Sequence, residues 1–323
     1  MKKIFVISPN HRTTGGVELL HQFVDQANKL GGDAKVVYFP FHRGHRQPEA
    51  YQKYNAPQAL IGDIDLAGSV VLIPETLTHL VSRFTQASVG IWWLSVDNYF
   101  GSQKLRFLAA NRIWPFTHWA PDSKRSVFHL SQSQYAMDFL KTKGIANCDL
   151  MTDYLNEDFL LAAGGVDVSR KERLVAFNPA KGLERTEAVL AHLPSDIEVV
   201  ALQGLTRSGM VDVLARAKVY IDFGNHPGKD RIPREAAVMQ CCVVTNRRGS
   251  AHNAEDVPIP DMYKIEDTND MNWQSAAKMI VDLVDGYDRH TLDFEIYRQS
   301  IKRERSEFSS QVQRFLVGRC GGS

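Results

Sequence analysis

The chain has 323 residues, of which 44% are hydrophobic and 23% are charged, and its formal net charge is +1. This length suits two domains of about 150 residues, and the composition is that of a globular protein. The balanced charge excludes a polycation that binds bulk nucleic acid, and the apolar runs are too short for a signal peptide or a membrane span.

The first half alternates between buried strands and amphipathic helices. Apolar, β-branched runs predict strands at Ile4–Ser8, Ala34–Phe39, Val70–Ile73, Ser88–Leu94 and Val127–Leu130. Apolar side chains at helical spacing predict helices at Val17–Lys29 and Ser133–Lys143, and each is followed by glycine. This alternation predicts a parallel sheet that is covered by helices on both faces.

The alternation restarts after a change of composition across residues 159–171, which we interpret as a domain boundary. The predicted strands are Leu174–Phe177, Ile197–Leu202, Val219–Phe223 and Cys241–Thr245. The predicted helices are Arg185–Ala191, Arg207–Ala217, Pro233–Gln240, 272–286 and a long C-terminal one. We therefore expect domains at 1–168 and 169–292, and a C-terminal helix at 293–323 that packs back on the first domain.

Two loops of the first half follow predicted strands, where open α/β sheets bind their ligands. The first contains His11, Gly15 and Gly16, and its glycines at a helix start give a ligand access to backbone N–H groups. His11 is a candidate base or hydroxyl contact, and the alternatives are a plain tight turn and an exposed loop histidine.

The second loop begins with the apolar pair Trp92–Trp93 and continues to Asp97, Asn98 and Tyr99. Asp97 is a candidate catalytic group. Asn98 and Tyr99 are candidate acceptor contacts, and for Tyr99 the reason is that aromatic faces stack on sugar rings. The alternative is that both tryptophans belong to the core and that Asp97 caps the next helix.

Two loops of the second half combine basic residues with glycine. Asn178, Lys181 and Gly182 follow its first strand, and one positive charge beside open backbone suits a diphosphate. The alternative for Lys181 is an exposed turn lysine.

The other loop contains Gly224, His226, Gly228, Lys229 and Arg231, and it leads into a helix with Pro233 near its first position. The free N–H groups at the start of this helix predict an anion-binding site, and Glu235 is a candidate acceptor for ribose hydroxyls.

Two further segments resemble functional motifs less closely. Asp63-Ile-Asp65 has the spacing of a metal-binding acidic pair, but it precedes a strand and is better interpreted as a loop. The basic segment His42-Arg-Gly-His45-Arg46 is interpreted as a solvated loop, with an anionic acceptor or lipid headgroups as the alternative.

Together these motifs resemble the GT-B glycosyltransferases, especially family four of bacterial polysaccharide assembly. The Gly15-Gly16-Val-Glu18 loop resembles the family's N-terminal Gly-Gly loop, and Asn178-Pro-Ala-Lys181-Gly182 resembles its Lys-Gly loop. The segment from Glu235 to Val244 resembles the one whose glutamate holds the ribose, and the loop with Ser250 resembles the one that follows it.

The resemblance implies two Rossmann-like domains that face each other across a cleft, with a nucleotide-diphosphate sugar on the second. It implies a cytoplasmic glycosyltransferase that needs no metal or cofactor and acts on a glycan or lipid-linked acceptor; peripheral contact with the inner membrane face stays open. The expected donor contacts are Gly15, Gly16, Asn178, Lys181, Gly182, Arg207, His226, Gly228, Lys229, Arg231, Glu235 and Ser250.

The sequence departs from the family pattern at two positions. Pro227 stands where the family has a second glutamate, and Ala176 stands where it usually has an arginine. These departures leave the stereochemical outcome open: if the reaction inverts, Asp97 or His11 is the expected base. They also leave two other functions open, a nucleotide-sugar epimerase of the same fold and an inactive nucleotide-sugar-binding module.

Overall fold

The structure is a computed structural model, and it describes residues 1–10, 13–41, 45–64, 67–101, 126–266 and 272–321. The chain divides into two compact units. The first unit comprises Met1–Asp153, Pro227–Lys229 and Arg305–Ser323. The second unit comprises Tyr154–His226 and Asp230–Glu304.

The first unit contains a six-stranded sheet in the order β2-β1-β3-β4-β5-β6, in which every pairing is parallel. Its strands are β1 (Lys3–Pro9), β2 (Asp33–Phe39), β3 (Val70–Pro74), β4 (Ser88–Trp93), β5 (Phe128–Ser131) and β6 (Cys148–Leu150). Its helices include α1 (Gly15–Lys29) and α2 (Gln134–Thr142).

The central strands of this sheet are buried on both faces, as expected for a parallel sheet. Trp92 and Trp93 on β4 are both fully buried. The Trp92 ring meets Phe23 of α1 edge-on at a centroid distance of 5.4 Å, and the indole N–H of Trp93 donates to His129 Nδ1 at 3.1 Å. The tryptophan pair therefore belongs to the core, which was the alternative interpretation of that motif.

The second unit contains a five-stranded parallel sheet in the order β11-β10-β9-β7-β8. Its strands are β7 (Glu172–Phe177), β8 (Glu198–Ala201), β9 (Ala217–Asp222), β10 (Cys242–Asn246) and β11 (Lys264–Ile265). Its helices include α3 (Glu157–Ala163), α4 (Leu183–Leu190), α5 (Arg207–Arg216), α6 (Arg231–Val238), α7 (Trp273–Asp285) and α8 (Tyr287–His290).

Each sheet reverses its strand order once. In the first unit the chain moves from β1 to β2 on one side and then to β3 on the other, so the reversal lies between β1 and β3. In the second unit the same reversal lies between β7 and β9. Ligands of open α/β sheets bind beyond the carboxyl ends of the strands at such points.

The long C-terminal helix, α9 (Glu295–Phe315), is continuous across the limit between the units at Glu304 and Arg305. Its last turns belong to the first unit, where the Phe315 ring meets Phe23 of α1 edge-on at 5.4 Å. None of the helices in the described part of the chain combines the length and the apolar character that a bilayer crossing needs.

The strands and helices predicted above are confirmed, with limits that differ by a few residues. The units divide at Asp153, whereas composition placed the boundary at residue 168. The reason is that residues 157–163 form α3, and Phe159 of this helix packs in the core of the second unit. The strands β6 and β11 were missed because they have three and two residues.

Candidate functional site

The loop after β7 presents Lys181 at the strand reversal of the second sheet. The Asn178 side-chain oxygen accepts the N–H of Ala180 at 3.0 Å, and this turn fixes the loop. Gly182 has a positive φ of 66°, and a Cβ at this position would lie 2.3 Å from the backbone oxygen of Phe223. Gly182 therefore allows the loops after β7 and β9 to pack backbone against backbone.

The Lys181 ammonium group is held by carboxylates and a carbonyl of the loop after β9. It forms an ion pair with Asp230, lies 3.7 Å from a carboxylate oxygen of Asp222, and donates to the backbone oxygen of Asn225 at 3.1 Å. A Cβ on Gly224 would lie 2.5 Å from the Lys181 stem, so this glycine makes room for the side chain. The lysine is thus placed by its surroundings, which an exposed turn lysine would not be.

His226 lies between the same two carboxylates. Its Nδ1 is 2.8 Å from an oxygen of Asp230, and its Nε2 is 3.7 Å from an oxygen of Asp222. Asp222 also accepts hydrogen bonds from the Tyr220 hydroxyl at 3.0 Å and from the N–H of Gly224 at 3.1 Å. We call Lys181, Asp222, His226 and Asp230 the switch-point cluster.

Burial alone would raise the pKa of Asp230, but the opposing effects of His226 and Lys181 outweigh burial and hold this pKa below its ordinary value. Asp230 is therefore an anion at neutral pH, and its charge opposes that of Lys181.

Asp222, His226 and Asp230 are also residue types that bind divalent cations, and their ligand atoms lie within 4.8 Å of one another. The ion pair between Lys181 and Asp230 already supplies a positive charge at this position. The donor set alone therefore fits a cation, whereas in the complete cluster Asp230 is already paired with Lys181. The expectation that the protein acts without a metal stays a prediction.

Helix α6 begins at Arg231, two residues before the predicted start at Pro233. Glu235 is therefore the fifth residue of the helix, beyond its first turn, and it is buried. Arg231 is the first residue of the helix and is partly exposed.

Arg234, which follows Pro233 near the start of α6, is fully buried. Its guanidinium group pairs with Glu304 at 2.9 Å and donates to the backbone oxygen of Asp230 at 3.0 Å. Arg234 therefore holds the helix in place inside the second unit.

The loop after β10 packs on the same segment. The N–H of Ser250 donates to the backbone oxygen of His226 at 2.9 Å, and the Asn246 side chain donates to the backbone oxygen of Phe223 at 3.0 Å. Gly249 has a φ of 58°, and a Cβ there would lie 1.9 Å from the backbone oxygen of His226. Loops from three neighbouring strands therefore converge on the segment that carries the switch-point cluster.

The other predicted donor contacts of the second half lie elsewhere. Arg207 is the first residue of α5, is half exposed and pairs with Asp158 of α3. Gly228 and Lys229 fall in the short segment that groups with the first unit. Gly228 is buried and Lys229 is partly exposed.

In the first unit, Gly15 and Gly16 form the start of α1, as predicted, and both are partly exposed. Thr14 caps this helix by accepting the N–H of Val17 at 3.4 Å. A Cβ on Gly16 would lie 3.4 Å from the Leu94 side chain, which belongs to the turn after β4. His11 lies outside the described residues.

Glu18, the acidic residue of the Gly-Gly motif, is buried and accepts the Tyr54 hydroxyl at 2.6 Å. Lys53 pairs with it at 3.0 Å. The Tyr51 hydroxyl donates to the backbone oxygen of Thr14 at 3.0 Å. This network of buried side chains fixes the start of α1. The Gly-Gly motif therefore combines a partly exposed backbone with a fixed position.

The turn after β4 carries Asp97 and Asn98. A helical segment begins at Val96, and Ser95 caps it by accepting the N–H of Asn98 at 3.1 Å. Asp97 is partly exposed and accepts the Tyr135 hydroxyl at 3.4 Å, and Asn98 is exposed. The cap predicted as an alternative for Asp97 is therefore provided by Ser95.

Tyr99 is fully buried, and its ring centroid lies 5.0 Å from that of Trp93. A buried ring of this kind has no exposed face on which a sugar could stack. The structure therefore places this predicted acceptor contact in the core, on the inner side of the helix that presents Asn98.

Sequence reasoning missed a carboxyl group at the same edge of the sheet. Glu75 follows β3 directly, is 2% exposed and accepts the N–H of Leu94 at 3.0 Å. Burial raises the pKa of Glu75 to about 8, even though backbone N–H groups act in the opposite direction. The signal was a glutamate directly after a buried apolar strand, the same pattern that identified Asp97.

The two weaker motifs agree with their interpretation as loops where they are described. Asp63 precedes β3, and its carboxylate accepts the N–H of Leu60 at 2.9 Å. His45 Nε2 lies 2.9 Å from the backbone oxygen of Pro40. Asp65 and residues 42–44 lie outside the described residues.

No protein-family model matches this chain, and no curated protein matches it by sequence. Solved structures match it over its whole length. HepE of Anabaena, determined with UDP-glucose, has a TM-score of 0.66 at 12% identity and covers 98% of this chain and 99% of its own. A glycosyltransferase of Rickettsia africae has a TM-score of 0.64 at 12% identity, with 100% and 99% covered.

A sucrose-phosphate synthase of Thermosynechococcus elongatus has a TM-score of 0.66 at 10% identity, with 97% and 98% covered. At these identities the likeness shows the fold alone. The chain has the GT-B fold, built from two parallel-sheet α/β domains, and its structural neighbours are GT-B glycosyltransferases.

Proposed function

We propose that this protein is a glycosyltransferase that moves a sugar from a nucleotide-diphosphate sugar to a glycan or lipid-linked acceptor without a metal ion. The observation that carries the proposal is the switch-point cluster, in which Lys181 lies at the strand reversal of the second sheet, the place where open α/β sheets bind ligands. The neighbour HepE was determined both with UDP-glucose and with UDP, which supports a nucleotide-sugar donor.

In this proposal the second unit binds the donor. Lys181 and Arg231 neutralise the charge that develops on the leaving diphosphate, because cations fixed before the reaction cost little reorganisation. Glu235 accepts hydrogen bonds from the ribose hydroxyls, and Asn178 and Gly182 hold the lysine loop in shape. Ser250 acts through the loop after β10, whose backbone is tied to His226.

The first unit supplies the remaining groups. Gly15 and Gly16 offer the backbone N–H groups at the start of α1, and Asn98 binds an acceptor hydroxyl. If the reaction inverts, Asp97 takes the proton of the attacking hydroxyl, since it is a partly exposed carboxylate at the end of a strand.

Two structural neighbours, a lipopolysaccharide outer core galactosyltransferase and a glycosyltransferase of lipopolysaccharide biosynthesis, support an acceptor of the glycan or lipid-linked class. In this proposal the protein works in the cytoplasm, and it contacts the inner membrane face only if its acceptor is lipid-linked. The epimerase alternative differs in needing no acceptor.

The third candidate is an inactive binding module, which shares the switch-point cluster with the transferase. Lys181 is already paired with Asp230, so a diphosphate has to compete with a carboxylate for this lysine. In an active transferase the donor displaces that contact, whereas in a binding module the exchange leads to no turnover.

The first test is a thermal-shift and calorimetric screen of UDP, GDP, ADP and their sugars. A ligand at 100 times its dissociation constant raises the stability by about 2.7 kcal/mol. Glu235→Ala should weaken the binding of the selected nucleotide by about 1.5–3 kcal/mol, the range for a hydrogen bond to a charged group. Unchanged affinity in the folded variant would remove Glu235 from the site.

The second test measures turnover of the bound nucleotide-sugar with and without glycan acceptors. Release of nucleoside diphosphate that depends on the acceptor supports the transferase. An altered sugar formed from the donor alone indicates the epimerase, and tight binding without turnover indicates the binding module.

A further inference from the structure

Glu75 occupies the strand reversal of the first sheet, where no sequence motif pointed to it. It is the residue after β3 (Val70–Pro74), and the reversal lies between β1 and β3. In the parallel register Pro74 stands opposite Trp92 of β4, so the residue after Pro74 lies level with Trp93, the last residue of β4, and next to the turn that follows. A carboxyl group at this point can interact with that turn.

The contacts of Glu75 are with backbone N–H groups of the turn. Its Oε2 accepts the N–H of Leu94 at 3.0 Å, and the carboxyl group also accepts the N–H of Ser95 and its own N–H. The side chain is 2% exposed. Among the described residues, none of the ion pairs involves Glu75, and the contacts of its carboxyl group are with backbone N–H groups instead.

The turn that Glu75 holds leads to the proposed catalytic group. Ser95 caps the helical segment that begins at Val96, and Asp97 is the second residue of that segment. On the other side of the turn, the Leu94 side chain lies beside Gly16 at the start of α1. A displacement of Leu94 and Ser95 therefore shifts both Asp97 and the packing of the Gly-Gly motif.

We propose that Glu75 is a positioning residue that fixes the turn Leu94–Asp97 and thereby places Asp97 for catalysis. For its kinetic consequence the proposal rests on the proposed glycosyltransferase function with an inverting reaction, in which Asp97 is the base, but the structural half of it does not. A buried carboxyl group that serves only the backbone of one turn is an expensive way to stabilise a fold, since an apolar residue avoids the desolvation. Its presence at the strand reversal is explained by the geometry that it imposes on the turn.

The test compares Glu75→Met, which keeps the volume but removes the acceptors, with Glu75→Gln, which keeps one acceptor oxygen. Glu49→Gln, at an exposed position of the first unit, is the control. Hydrogen exchange should accelerate at least tenfold at the amides of Leu94 and Ser95 in E75M and return towards the wild-type rate in E75Q. The other amides of β4 should keep their protection.

The kinetic readout is the split between kcat and KM. In E75M we expect kcat to fall at least tenfold while the KM for the donor changes less than threefold, because most of the proposed donor residues, Lys181 and Glu235 among them, belong to the second unit. E75Q should recover most of kcat. Unchanged exchange at Leu94 and Ser95 would overturn the proposal, and so would accelerated exchange without a loss of kcat.

If E75M does not fold, Glu75→Asp takes its place, because it keeps the carboxylate but withdraws it by one methylene group. The same exchange and kinetic pattern is then expected, and wild-type behaviour in E75D contradicts the proposal. If the wild-type protein turns over no nucleotide-sugar, the proposed function fails, whereas the exchange measurement still decides whether Glu75 holds the turn.

Discussion

Arg234 of α6 and Glu304 of α9 form a fully buried ion pair with an N–O distance of 2.9 Å. The same Glu304 oxygen accepts the N–H of Leu155 at 3.0 Å, so one carboxylate joins three segments of the second unit. In the sequence, Arg234 looks like the other basic residues beside the glycine-rich loop. Its burial in this ion pair shows that its role is structural.

The first prediction concerns this pair. Arg234→Met should lower the free energy of unfolding by about 3–5 kcal/mol, because it leaves the Glu304 charge buried without its partner. Arg216→Met is the control, since Arg216 pairs with Glu172 and Glu198 on the exposed surface and should cost less than about 1 kcal/mol. Urea denaturation measures the free energy of unfolding of both variants. Equal losses would show that breaking the buried pair costs no more than breaking the exposed one.

The second prediction concerns the competition between Asp230 and a diphosphate for Lys181. Lys181→Ala should weaken binding of the nucleotide selected by the screen at least tenfold, as expected for a hydrogen bond between charged groups. Asp230→Asn should strengthen binding several-fold, because it removes the opposing charge while Asn225 still holds the lysine. Calorimetry at two salt concentrations measures both, and weaker binding in D230N would mean that Asp230 orients Lys181 for the ligand.

The third prediction concerns the two glycines that let the loops converge. Gly182→Ala and Gly249→Ala should each lower the free energy of unfolding by more than about 2 kcal/mol. This loss is about twice the cost of a positive φ alone. The reason is that their Cβ atoms would meet the backbone oxygens of Phe223 and His226. Gly204→Ala is the control, since Gly204 has a φ of 68° with nothing within 4 Å of its Cβ position. If G204A loses as much stability as the other two variants, the positive φ and not the steric clash causes the cost.

The fourth prediction concerns pH. Glu75 has a pKa of about 8 in the folded protein and an ordinary value of 4.5, so the folded state binds the proton more tightly than the unfolded state. Its contribution to stability is therefore complete below about pH 4.5 and is lost as the pH rises to about 8, with a slope of up to about 1.4 kcal/mol per pH unit.

Glu75→Gln removes this dependence. The difference in unfolding free energy between E75Q and the wild type should therefore change in favour of E75Q as the pH rises from 5 to 8. Denaturation curves at several pH values measure this difference. A constant difference across the range would show that Glu75 does not titrate there.

The fifth prediction concerns metal. Turnover should survive EDTA, because Lys181 provides positive charge at the switch-point cluster. Loss of activity on chelation that manganese restores would instead identify Asp222, His226 and Asp230 as metal ligands. Asp222→Asn would then abolish the manganese response.

The sequence by itself determined the fold class. Alternating apolar runs and amphipathic helices are local patterns, and they placed β1 to β5 and β7 to β10 within a few residues. Because polar, glycine-rich segments follow those strands, the sequence also identified Lys181, His226 and Asp97 as groups at the carboxyl ends of the strands.

Only the tertiary structure decided which side chains face one another. The pairing of Lys181 with Asp230, the burial of Arg234 against Glu304 and that of Tyr99 against Trp93 all join residues on different elements. Glu75 shows the same limit, since its partner Leu94 is 19 residues away and is reached only through the register of β3 and β4. Local patterns record which face of an element is apolar, whereas the use of a charge depends on strand order and register, which non-local packing sets.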